Sequence, residues 1–195
     1  MKNLFLILPI VLFLGNCRSD LTDQEIKWNP YKEGEILVFE SSDNERDSII
    51  ISEITSSDSN EHELLEVKCK YFENSSGHPD NPDTVQSFLM ALTAWKDNNS
   101  VLTINLNRKF ALFAPYTAKR LTWLDSLELT SVESKNGTFN DVLILEPDTT
   151  SPDYPSYATD SLFVNKLYWS KSCGLIRFDL SNKKTSWSLV KRYSH

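Results

Sequence analysis

Apolar and polar side chains alternate over short stretches along most of this chain. In Val67-Lys68-Cys69-Lys70-Tyr71 and in Leu102-Thr103-Ile104-Asn105-Leu106 every second residue is apolar, which is the period of a strand buried on one face. Alternating or short apolar segments recur at 35–40, 48–54, 63–72, 101–106, 126–132, 141–146, 162–170, 175–180 and 186–191. Turn residues separate them, and the spacing predicts an all-β meander. Asp97-Asn98-Asn99-Ser100, Ser134-Lys135-Asn136-Gly137 and Ser181-Asn182-Lys183-Lys184 read as turns. Asn136-Gly137 gives the strongest signal, because both residues tolerate positive φ. The last two segments form a closing hairpin.

One stretch follows a different period. Val85, Phe88, Leu89, Leu92 and Trp95 recur at i, i+3, i+4, i+7 and i+10, with Asp83 or Thr84 placed to cap, the pattern of an amphipathic helix over about 83–96. Leu, Met and Ala favour it. A strand ending at Trp95 and turning through 97–99 into 101–106 is the competing reading. The expected fold is therefore mainly β, an antiparallel meander forming a curved sheet, a half-barrel or a barrel, with the stretch at about 83–96 either one helix or a further strand.

The start of the chain is built otherwise. Lys2 is followed by an apolar run from Leu4 to Leu14, broken at Pro9, and then by Gly15, Asn16 and Cys17. The run is shorter than the roughly 20 apolar residues of a transmembrane helix, and a charged start before a short apolar run marks an export signal. Residues 1–17 resemble the signal peptide of a bacterial lipoprotein. That resemblance implies cleavage before Cys17 and a diacylglycerol on its thiol, with two or three acyl chains such as palmitate, enough for stable anchoring. It also implies a place in the bacterial cell envelope, lipid-anchored at the periplasmic or surface face of the outer membrane. Residues 18–33 are polar and without period, which predicts a flexible tether before a single domain over 34–195.

Charge and cysteine usage narrow the classes. The chain carries 20 basic and 27 acidic side chains, and loss of Lys2 leaves 19 against 27, a net charge of −8. That balance argues against a nucleic-acid partner. With Cys17 acylated, Cys69 and Cys173 remain. In an oxidising compartment they are either a disulfide closing a long loop, which would add roughly 3–5 kcal/mol, or two buried thiols.

Catalytic chemistry leaves little trace. There is no Gly-x-Ser-x-Gly elbow, no Cys/His spacing for zinc, and five glycines in 195 residues give no phosphate loop. The histidines are His62, His78 and His195. His78 with Asp80 and Asp83 is better read as a solvated turn than as a metal site, so neither metal nor cofactor is expected. The long segments 74–82 and 147–160 read as loops. Asp precedes a hydroxyl residue at Ser48, Thr84, Ser126, Thr149 and Ser161. These five resemble the O-glycosylation sites of exported Bacteroidetes proteins, and the same pattern also closes a turn before a strand.

Aromatic residues are plentiful in strand-like segments, where most belong to the core. Phe110-Ala111-Leu112-Phe113-Ala114-Pro115-Tyr116 is apolar on both faces, so Phe110, Leu112, Phe113 and Tyr116 line either a buried strand or a pocket wall. Tyr168-Trp169-Ser170-Lys171, Cys173-Gly174-Leu175-Ile176-Arg177-Phe178 and Trp187-Ser188-Leu189 resemble the closing hairpins of small Bacteroidetes lipoproteins, a likeness over roughly the last 35 residues that implies no activity. The sequence thus points to an anchored, non-catalytic binding module for an apolar or lipid-like molecule. The alternatives are an accessory protein for an envelope partner, and a hydrolase using paired carboxylates.

Overall fold

The computed structural model describes residues 20–59, 61–71, 85–95, 100–104, 106–108, 111–112, 119–120, 129–146, 163–181 and 185–194. The fold is mainly β. Its strands are β1 (Ile36–Ser41), β2 (Arg46–Asp58), β3 (His62–Tyr71), β4 (Val85–Trp95), β5 (Ser100–Ile104), β6 (Asn107–Arg108), β7 (Ala111–Leu112), β8 (Lys119–Arg120), β9 (Thr130–Ser134), β10 (Gly137–Leu145), β11 (Val164–Ser170), β12 (Gly174–Leu180) and β13 (Ser186–Tyr193). A single helical turn, α1 (Asp23–Ile26), precedes them.

All but β6 and β7 belong to one antiparallel sheet in the order β8-β5-β4-β3-β2-β1-β13-β12-β11-β10-β9. The chain makes two meanders, β1 to β5 and β9 to β13, and the pairing of its first strand with its last joins them. Among the described residues the sheet does not close, with β8 and β9 at opposite edges. Its curvature gathers one core from both meanders. Leu37, Phe39, Ile49, Ile51, Val67, Leu92, Leu102 and Ile104 share a buried cluster with Val142, Leu145, Leu167, Trp169, Phe178, Trp187 and Leu189. Alternation along β1 shows how this arises: Leu37, Phe39 and Ser41 are buried, and Ile36, Val38 and Glu40 are half-buried on the other face.

The helical period at 83–96 is overturned. Residues 85–95 form β4, which pairs with β3 from His62↔Trp95 to Tyr71↔Val85 and with β5 from Ala94↔Ser100 to Met90↔Ile104. Ladders on both sides satisfy the backbone of this strand and bury Leu89, Met90, Leu92 and Ala94, which outweighs a helix preference of a few tenths of a kcal/mol per residue. At the β9–β10 turn Gly137 takes a φ of 120°, while Asn136 is not among the residues with positive φ. Lys135 and Asn136 form the two-residue connection and Ser134 pairs with Gly137. The turn therefore lies one residue earlier than the Asn-Gly signal suggests.

The β9–β10 register shifts between Phe139 and Val142, and the tip of this hairpin reaches the first and last strands. The Asn136 side-chain amide donates to the Leu189 carbonyl at 3.0 Å, and Lys135 Nζ lies 2.6 Å from Glu40. Glu40 also pairs with Arg46 at 2.8 Å. Hydrogen bonds from Lys135 and then Arg46 hold the Glu40 carboxyl below the usual carboxylate range. An edge hairpin is thus fastened to the first and last strands.

Candidate functional site

The folded part begins earlier than Gly34. Leu21, Trp28 and Tyr31, expected in a tether, are buried in the core cluster. Thr22 caps α1 through a capping box: its side chain accepts from the Glu25 N–H at 3.3 Å, and Glu25 accepts from the Thr22 N–H at 2.7 Å. The Leu21 amide donates to the Glu63 carboxylate at the start of β3. From there the segment crosses the interior side of the sheet to the β11–β12 turn. Lys171 Nζ sits 4.8 Å from the centre of the Trp28 ring, and Tyr31 meets Trp169 edge-on at 5.8 Å. The tether reading fails because these apolar residues bury themselves against a surface made by distant strands, which requires no period of their own.

Tyr31 is the centre of this end of the molecule. Its hydroxyl accepts a hydrogen bond from the Leu175 N–H at 2.8 Å. Gly174, at φ 78°, makes room for the ring, since a Cβ there would lie 2.2 Å from the Tyr31 oxygen. Burial pushes the phenol well above the ordinary tyrosine range, against the lowering effects of the Leu175 hydrogen bond and the Arg192 charge. Arg192 lies 5.6 Å above the same ring and donates to Glu35 Oε2, to the Pro30 carbonyl and, at 3.4 Å, to the Cys173 carbonyl. Glu35 is 3 % exposed, and it also accepts from the Lys32 amide and the Ser194 hydroxyl. The buried carboxylate is thereby fully engaged, the condition under which a buried ion pair is tolerated.

A second polar cluster flanks the first. Asp141 accepts from Ser170 Oγ at 2.7 Å and from the Ser172 amide at 2.7 Å, and Ser170 Oγ accepts from the Cys173 amide at 3.0 Å. Burial acts to raise the Asp141 pKa, but the bonds from Ser170 and Ser172 prevail and lower it. These contacts shape the β11–β12 turn.

Two indole N–H groups in this region stand out. Trp28 Nε1 and Trp169 Nε1 are buried and make no hydrogen bond, although such donors ordinarily find a partner. Leaving one unmade costs about 1–3 kcal/mol. Both belong to the apolar cluster that the N-terminal segment completes. Neither was singled out from the sequence, because nothing local marks an indole whose nitrogen lacks a partner.

The other expected residues distribute as follows. Cys69 is buried in β3 and Cys173 is half-buried in the β11–β12 turn, and neither is in a disulfide. Ser48 lies half-buried in β2 opposite Val38, and its amide donates to the Asp47 carboxylate at 2.6 Å. Leu112 falls in β7, which pairs with β6. Cys17, Phe110, Phe113, Tyr116, Thr84, Ser126, Thr149 and Ser161 lie outside the described residues, as do His78, Asp80 and Asp83. Among the described residues no three His, Cys, Asp or Glu side chains form a group fit for a metal ion, and no helix is long and apolar enough to cross a membrane. Comparisons with family models, with curated proteins and with solved structures give no match to this chain.

Proposed function

We propose that this protein is a lipoprotein of the bacterial envelope, acylated at Cys17, whose curled sheet binds an apolar or lipid-like molecule bearing a hydrogen-bond acceptor. One observation carries the reading: the indole N–H groups of Trp28 and Trp169 are buried in the apolar cluster without a hydrogen bond. A ligand acceptor that reached either donor would remove its cost, and the hydrocarbon part of the ligand would be stabilised at about 0.8 kcal/mol per buried methylene. Among the described residues the sheet is not closed, so entry there needs no break in a closed barrel. The C-terminal likeness to small Bacteroidetes lipoproteins agrees with this setting.

Titration of the purified full chain with oleate and with oleyl alcohol tests the proposal. Saturable binding of one molecule per chain is the expected result. Trp28→Phe and Trp169→Phe each remove one donor and should weaken binding about two- to tenfold, the equivalent of one net hydrogen bond. Absence of saturable binding to both probes would dismiss the carrier and leave an envelope protein partner as the better reading.

A further inference from the structure

We propose that the end of the sheet carrying Trp95 and His62 rests on the lipid surface, with the Trp95 indole at the level of the headgroups; this rests on the reading of Cys17 as the acylated residue. Three residues lie between Cys17 and Leu21, and at full extension the four Cα–Cα steps from one to the other reach no more than about 14 Å. The Leu21 amide is fixed to Glu63, the second residue of β3. An acyl group on Cys17 therefore holds the β2–β3 turn and the end of β4 within that reach of the bilayer.

Trp95 ends β4, and His62, its partner in the ladder, begins β3. The two rings lie 4.8 Å apart at 37°, and Trp95 is 43 % exposed. The turn beneath them is braced by the Ser59 amide donating to the His62 carbonyl at 3.0 Å and by Ser59 Oγ, which donates to the same carbonyl and receives the His62 amide. The indole is thus presented on a firm support. Ile26, 38 % exposed, stands five residues after Leu21 and supplies a second apolar side chain close to the anchor. Exposed tryptophan is the side chain best suited to a membrane interface, with an apolar ring and one polar N–H. Asp58, Glu61 and Glu63 surround the turn, so attraction to anionic lipid is not the source of the contact; the short tether and the aromatic ring are.

The test uses the full-length protein purified from its membrane, with acylation read by intact mass, and reconstituted into phosphatidylcholine vesicles brominated on the acyl chains. Bromine quenches only tryptophan near the bilayer. Marked quenching in the native protein, most of it lost in Trp95→Phe and unchanged by raised salt, is the expected outcome. An acylated protein without quenching, or with quenching that persists in Trp95→Phe, overturns the membrane-facing surface and leaves the anchor standing. A mass without acyl chains overturns the anchor and this proposal together.

Discussion

Gly174 and Tyr31 constrain each other. Any side chain at 174 must displace the tyrosine hydroxyl and also adopt a φ of 78°, which costs a non-glycine residue of order 1 kcal/mol even in open space. Gly174→Ala should lower stability by about 2–4 kcal/mol in urea unfolding. Tyr31→Phe should cost about 1–3 kcal/mol, because the Leu175 amide is left buried without its acceptor. Both act on one contact, so the double variant should be less destabilised than the sum. Additive effects would show that the two do not meet as described. The same tyrosine sets a dependence on alkali. Its folded-state pKa lies above that of the unfolded chain, chiefly through burial. Its contribution is complete below about pH 10 and declines as pH rises past that value. Stability measured from pH 8 to 11 should therefore fall more steeply in the native protein than in Tyr31→Phe.

At the scale of elements, the segment before β1 is part of the domain and not a leash. Removing residues 18–33 would strip Leu21, Trp28 and Tyr31 from the core and leave Arg192 and Glu35 exposed to water. Loss of one buried tryptophan alone costs about 3–5 kcal/mol. The shortened chain should melt at a markedly lower temperature in calorimetry, or fail to fold, whereas a true tether would be removed without effect. The strands themselves were legible to within a few residues. β1, β3, β5, β12 and β13 coincide closely with the alternating runs at 35–40, 63–72, 101–106, 175–180 and 186–191. The segment 85–95 is ambiguous in sequence because Val85, Phe88, Leu89, Leu92 and Trp95 satisfy a helical period by spacing alone; two neighbouring ladders and burial decide for the strand, the other of its two readings. A short apolar run has no periodicity that separates these outcomes.

For the whole molecule, the pairing of β1 with β13 is what makes two meanders one sheet. Ser188 pairs with Glu40 on one side and with Arg177 on the other, so Ser188→Pro interrupts the centre of the sheet. It should destabilise by about 3 kcal/mol or more and weaken the cooperativity of urea unfolding. Ser131→Pro, on the edge strand β9, should cost clearly less. Equal effects would mean that the halves do not depend on their junction.

Hydrophobic period by itself determined the class of this protein, the positions of most strands and the turns between them, because each of those is set by residues a few positions apart. The joining of first strand to last, the burial of Trp28 and Tyr31, the Glu35–Arg192 pair and the unpaired indoles of Trp28 and Trp169 were decided only in the tertiary structure. Each depends on surfaces contributed by residues more than a hundred positions apart, or on the lack of a partner that no stretch of sequence records.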